Sequence, residues 1–346
     1  MKSIFCLVVY FLLFLNCILV HGQDVQFSQY YNTPLYTNPA FAGTGENTRV
    51  GVQYRTQWTN VAKPYTTYAL WGDHFIESAR SGVGLWIMRD DQGQNRTNLT
   101  AVNASYSYVV PLGNHWVFRP GLQVGFGVRG SNYNTAVFGD QLTNNGATGN
   151  ASSDPILSSN PSKIYPDFGT GGMIHNDKFW FGLGLNHLNT PNLSVDKIPG
   201  DNLPMLLNIQ SGYKILLNYS KYNPSAKEIS LTPTVNYKHQ GTYDQLDIGC
   251  YYTYSAIMLG MWYRGIPLLS YGKGLPNNEA IIPMVGLSQK GWSITYSYDY
   301  TISKLTNASS GGSHEVSIIY EFKVRYRNAH IQKRLPCPKF NQTYSN

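Results

Sequence analysis

The sequence predicts an all-β protein: a transmembrane, antiparallel, up-and-down β-barrel of about fourteen strands. Three observations predict it. Long stretches alternate apolar and polar residues; the polar sets carry charges that lipid would not tolerate; and the connections between stretches are short and long in turn. The clearest alternation is Trp292–Thr301, where Trp, Ile, Tyr, Tyr and Tyr are set against Ser, Thr, Ser, Asp and Thr. In the last stretch Val316, Ile318, Tyr320 and Phe322 are set against Glu315, Ser317, Glu321 and Lys323. A period of two belongs to a strand with unlike faces. About ten residues at roughly 3.3 Å each, tilted about 40°, cross an apolar band of about 25 Å. Aromatics on such a face gather at the two edges of the lipid.

Taken in order, the chain opens with Lys2, an apolar run from Ile4 to Val20 and small residues near Gly22. That is the layout of a cleaved secretory signal over 1–22, with the mature chain starting near Gln23. No later run of about 18 apolar residues exists, so no further helix is expected to cross a membrane. Only Cys250 and Cys337 remain after processing, too few for a disulfide framework. The net charge is +7 and dispersed, so no nucleic-acid partner is expected. The 27 tyrosines and a charged fraction of 13% suit strands with one lipid-facing side better than a soluble enzyme.

Residues 23–47 are rich in aromatics and turn formers, and Pro34 and Pro39 forbid a long helix. This segment should pack at the periplasmic mouth or as a plug in the lumen. Strands are then expected over 48–57, 65–75, 82–89, 98–110, 115–130, 166–175, 178–188, 204–217, 227–238, 243–254, 256–264, 279–289, 291–301 and 313–323. Most odd-numbered connections are long, Ser131–Tyr165 above all, and most even-numbered ones are tight, such as Asn176-Asp177, Ser255 and Lys290. Short periplasmic turns and long outer loops make this pattern, which puts both termini in the periplasm. Asn218–Ala226 and His239–Thr242 fit it less well.

The polar faces hold Arg49, Gln53, Arg55 and Gln57, then Arg119, Gln123 and Arg129, then Glu228, Thr232, Thr234, Asn236 and Lys238. Arg264, Asp299, Glu315 and Glu321 complete a mixed set. Each such charge would cost about 2–4 kcal/mol near the lipid midplane. Turned inward they can pair across strands, which favours a laced or plugged lumen. The last strand should close the barrel on Arg49–Gln57, with His314 outward near the upper rim and Glu315 inward.

No pattern for hydrolytic or metal chemistry stands out. There is no Gly-x-Ser-x-Gly, His-Glu-x-x-His or Cys-x-x-Cys. Asp73 and His74 are neighbours on a strand and point to opposite faces. Asp90-Asp91-Gln92-Gly93 lacks the later glutamate of a calcium loop and reads as a polar loop tip. Eight Asn-x-Ser/Thr sequons occur, yet Asn103 falls inside an expected strand. A non-enzymatic protein without cofactor or metal is the expectation. After Phe322 comes a basic periplasmic tail, 324–346, with Arg325, Arg327, Lys333, Arg334 and Lys339.

The run Phe27-Ser28-Gln29-Tyr30-Tyr31, followed by Pro34 and by Asn38-Pro39-Ala40-Phe41-Ala42-Gly43, closely resembles the N-terminal signature of the PorP/SprF family. Tyr296-Ser297-Tyr298-Asp299, Gly312-Ser313-His314-Glu315 and Cys337-Pro338-x-Phe340 resemble its later landmarks. The resemblance covers the whole mature chain. It implies a bacterial outer-membrane component of the Bacteroidetes type IX secretion system. The implied partners are the translocon barrel, periplasmic components and the C-terminal region of an exported surface protein, such as a gliding adhesin. The family motifs are expected to serve structure or partner contact. A passive transport barrel for small solutes is the alternative.

Overall fold

The computed structural model describes residues 24–45, 47–93, 97–113, 115–131, 137–144, 146–150, 152–153, 162–194, 201–217, 229–271 and 275–322, with only the backbone for 267–276. The segment 1–22 expected as a signal, the tail from Lys323 with Cys337, and the connection 218–228 lie outside these residues.

Fourteen long strands close into one antiparallel barrel. They are β1 (Thr48–Gln57), β2 (Tyr65–Ile76), β3 (Ser81–Gln92), β4 (Thr97–Tyr108), β5 (Trp116–Ser131), β6 (Ser162–His175) and β7 (Phe179–Asn186). The second half is β8 (Leu206–Tyr213), β9 (Ile229–Gln240), β10 (Tyr243–Tyr254), β11 (Ile257–Tyr271), β12 (Leu275–Gln289), β13 (Trp292–Thr301) and β14 (Ser313–Phe322). Short pieces at Val110–Leu112 and Ile215–Leu216 extend the wall. Each strand pairs with its chain neighbours, and β1 pairs with β14 from Thr48↔Phe322 to Gln57↔Ser313. The sheet thus closes on itself, strand to strand, which suits lipid, where unpaired amides are costly.

The alternation decides the faces. Val52, Leu70, Leu85, Leu122, Val124, Ile248, Leu259, Met261, Val285 and Ile294 are exposed on the outer wall. Outward aromatics gather at both ends. Tyr108, Trp116, Phe181, Tyr213, Tyr254, Trp292 and Phe322 mark the short-turn end; Tyr54, Tyr68, Phe126, Phe168 and Tyr300 mark the long-loop end. These are the two interfacial girdles of a lipid-spanning barrel. The exposed Arg89–Asp91 pair, 3.1 Å apart, lies just beyond the second girdle. At the short-turn end Lys290 and Gly291 both take positive φ (51° and 90°), the geometry a two-residue hairpin needs.

Three expectations are corrected. The connection expected over Gly265–Asn278 is mostly strand, because β11 runs to Tyr271 and β12 starts at Leu275. Register shifts at Arg264/Gly265 and Ile266/Ser270 break the period of two there and hid the pairing. β6 starts at Ser162, ahead of Pro166, so the loop before it is shorter than Ser131–Tyr165. Asp90 and Asp91 lie within β3 rather than at a loop tip. There Asp90 faces the lumen and accepts a 2.6 Å hydrogen bond from Thr67.

Candidate functional site

The lumen is filled by the chain's own N-terminal segment. Asp24 sits at the long-loop level, where its N–H donates to Gln240 (2.9 Å) and its carboxylate meets His187 Nε2 (2.6 Å). From there the segment descends through short turns at Tyr30–Asn32, Pro34–Thr37 and Pro39–Phe41. It reaches the short-turn end at Gly43 and enters β1. Pro34 and Pro39 each open a helical turn, where a missing N–H costs nothing. Asn38 caps the last turn by accepting from Ala40 N (2.9 Å).

One side of this plug lies against bare backbone. Gly82, Gly84, Gly121, Gly171 and Gly184 face the lumen on β3, β5, β6 and β7. A Cβ at Gly121 would strike Ala40 N and Pro39 C, and one at Gly82 would strike the Ala42 carbonyl. Only glycine lets the plug come this close. Gly43 has φ +64°, and a Cβ there would fall 2.6 Å from Gly82 Cα. Ala42 O then accepts from Ser107 Oγ (2.8 Å) and Arg119 Nη2 (2.7 Å), while Gly43 N donates to Asp73 (2.8 Å). Arg49 holds the same Asp73 through Nε at 2.9 Å.

Elsewhere the plug meets aromatic rings and, toward the long-loop end, buried ions. Tyr30 meets Trp262 edge-on at 5.2 Å and Tyr31 meets Tyr251 at 4.9 Å. Phe27 packs with Trp71, Trp86 and Leu35, and Phe41 with Met173 and Trp180. Ser28 lies at the centre of a buried ion network. Its N–H donates to Glu315 Oε2 (2.7 Å) and its hydroxyl to Asp299 Oδ2 (2.7 Å). Arg55 donates to Ser28 Oγ (2.9 Å), Glu315 (3.0 Å) and Asp299 (2.8 Å). Arg264 donates to Ser28 Oγ (3.0 Å), Asp299 (3.1 Å) and Asp247 (2.9 Å). Gln29 adds its N–H to Glu315 Oε1 (3.1 Å), and Asn32 reaches Ser317 Oγ (2.6 Å). The network joins the plug to β1, β10, β11, β13 and β14, and so spans the closing seam.

The sequence motifs are thus brought together. Phe27, Ser28, Gln29, Tyr30, Pro34, Asn38, Pro39, Ala40, Phe41 and Gly43 are buried in the plug, and Tyr31 is half-buried beside them. Glu315 is fully buried and turned to Ser28 and Gln29, and Ser313 is buried beside Gln57. His314 points outward, with Nδ1 2.8 Å from the Tyr296 hydroxyl. Asp73 faces the lumen while His74 contacts Thr48 outside (2.8 Å).

Above the plug lies a vestibule of about 1270 Å³ on the long-loop side. Its floor includes Asp24, Val25, Gln26 and Tyr36; its walls include Asp90, Arg129, Lys238, Gln240, Gln245 and Glu279; Trp58 and Ser303–Leu305 edge it. Beside the floor His187, in the connection after β7, is clasped between Asp24 (2.6 Å) and Asp167 (2.9 Å). Burial alone would lower its pKa, but the Asp24 and Asp167 carboxylates override this and push it up to about 10. Sequence reasoning singled out neither this clasp nor the glycine track. The only available signal for the track was glycine recurring on the polar side of strands.

Solved structures similar to this chain are outer-membrane proteins of other bacteria. The Ralstonia pickettii toluene transporter TbuX shares 10% identity at a TM-score of 0.48, over 84% of this chain and 94% of its own. The P. putida toluene transporter TodX shares 11% at 0.47, over 85% and 95%. Acinetobacter baumannii Omp33 shares 6% at 0.42, over 80% and 100%. No curated protein matches the sequence. A family profile, described as type IX secretion system membrane protein PorP/SprF, matches residues 19–320. With a match over most of its length and a closed outer-membrane barrel as its fold, the chain belongs to the PorP/SprF family of type IX secretion system membrane proteins.

Proposed function

We propose that this chain is a non-enzymatic holding barrel of the type IX system. It receives the C-terminal region of one exported surface protein, such as a gliding adhesin, at its long-loop end, beside the translocon barrel. The long-loop end then faces outward, and β14 delivers the C-terminal tail to the periplasm. The observation that carries the reading is the plug. Residues Phe27 to Gly43 are tied to the wall by buried ions and close backbone contact, which suits a protein that must hold cargo without leaking. The vestibule and the outer connections supply the receiving surface. Among the latter, residues 137–150 include a small hairpin, Leu142–Thr143 with Gly146–Ala147. Its base is braced by Asp140, which accepts from Ser152 and Ser153.

Passive solute transport would need an open lumen, and the fixed plug argues against it. The test is to replace 137–153 by a short Gly-Ser linker. The barrel should fold and reach the outer membrane while the cognate surface protein is lost from the cell surface. Retention and secretion at wild-type levels would refute the role given to this end.

A further inference from the structure

The vestibule wall contains a mostly buried cation that none of the described residues pairs with. Lys238, two residues from the loop end of β9, faces the lumen, is 8% exposed and lines the vestibule. Among the described residues its ammonium makes no hydrogen bond or ion pair. The nearby carboxylates are already engaged. Asp247 accepts from Arg264 Nε (2.9 Å) and Gln245 Nε2 (2.8 Å). Asp299 and Glu315 are held by Arg55, and Glu279, 46% exposed, lies 3.7 Å from Arg264. Lys238's partners in the ladder are Asn208 and Gln245. Both amide atoms of the buried Asn208 and Oε1 of Gln245 also lack hydrogen bonds.

An ammonium at the end of a mostly buried side chain, beside unpaired amides, presents its free donors to whatever enters the vestibule. A carboxylate is the group that completes this arrangement, through charge-assisted bonds from the ammonium and further donation from an amide such as Asn208 Nδ2. The cavity also exceeds the roughly 300–1,000 Å³ usual for small-molecule sites. Its walls mix aromatic rings (Tyr36, Trp58, Tyr65, Tyr243) with amides, which suits a length of polar chain.

We propose that Lys238 is the anchor of a carboxylate-binding site in the vestibule, and that the carboxylate is carried on a polypeptide, as its C-terminus or an acidic side chain. This rests on the reading that an exported protein is held at this end, and it names the chemistry of the contact.

The test uses the full chain, purified in detergent, and random hexapeptides tethered to beads through their N-termini. One set has free C-termini and no Asp or Glu; a second is the same set with C-terminal amides; a third is amidated and contains Asp. Wild-type protein should be retained at least ten-fold better by the first or third set than by the second. Retention by the first identifies the chain terminus as the source, and by the third a side chain. Lys238→Met should abolish the preference and Lys238→Arg should keep it, with heat-modifiable gel mobility confirming that each variant is a folded barrel. Equal retention by all three sets, or a preference that survives Lys238→Met, overturns the proposal. The three-set comparison on wild type decides alone if the Met variant does not fold. A negative result alongside lost retention in the 137–153 deletion would remove the Lys238 site and leave the secretion role standing.

Discussion

Replacing Arg55 by Met should loosen the plug and the closing seam together. Arg55 is 3% exposed and faces Glu315 (0%) and Asp299 (5%), so both carboxylates are largely withdrawn from water. The substitution deletes bonds of 2.9, 3.0 and 2.8 Å to Ser28, Glu315 and Asp299. Asp299 keeps Arg264 at 3.1 Å and the Ser28 hydroxyl. Among the described residues Glu315 keeps the two plug amides, at 2.7 and 3.1 Å, and no paired cation. Breaking a buried pair from one side costs about 3–5 kcal/mol; because Asp299 retains a partner, the lower end, about 3 kcal/mol, is expected. That is roughly a hundred-fold in the folding equilibrium. The measurement is urea unfolding of the barrel from lipid vesicles, followed by tryptophan fluorescence. Glu315→Gln removes the charge that Arg55→Met strands, so the double variant should fall short of additivity by about 1–3 kcal/mol. A loss below about 1 kcal/mol for the single variant, or strict additivity in the double, would refute the assignment of Arg55 as the seam's counter-charge.

Three further outcomes are expected. Gly121→Leu drives a side chain into Ala40 and Pro39, at about 1–3 kcal/mol of overpacking, and should raise ion conductance in planar bilayers above that of wild type; a variant that conducts no more than wild type would discard the close-approach argument. His187 has a raised folded pKa, so the stability from its clasp is fully present below about 6.5 and is lost as pH rises through about 10. The gap in urea midpoint between wild type and His187→Gln should therefore shrink across that window, and a gap independent of pH would count against the clasp. Val285→Arg, on the lipid face of β12 opposite Tyr296 and midway between the girdles, should cost about 2–4 kcal/mol in vesicles, while Leu142→Arg in the long-loop hairpin should be nearly neutral; equal effects would contradict the assigned membrane position.

Most of the barrel was legible because each strand carries its own period of two. β1 and β10 begin and end where alternation begins and ends, at Thr48–Gln57 and Tyr243–Tyr254. The pattern failed where pairing and period part company, at the bulged β11 and β12 and across Pro166. The plug's composition was visible, but its path was not. Its contacts join Ser28 to Asp299, Glu315 and Arg264, residues more than 230 positions away, and no local spacing encodes such a meeting. Lys238 was legible as lumen-facing; that among the described residues its neighbouring carboxylates pair with other cations and not with it is a property of the packed interior alone.

The contact between Glu315 and the plug has a consequence for how the barrel forms. Glu315 lies near the start of the last strand, and its two oxygens accept from the N–H groups of Ser28 and Gln29, near the start of the described chain. A slip of one residue between β14 and β1 would turn Glu315 into the lipid and His314 into the lumen. The plug's amides would then find no acceptor, and Arg55 no carboxylate on that strand. The Ser28 and Gln29 amides thus match only the register that turns Glu315 inward, so a slipped closure forfeits both bonds.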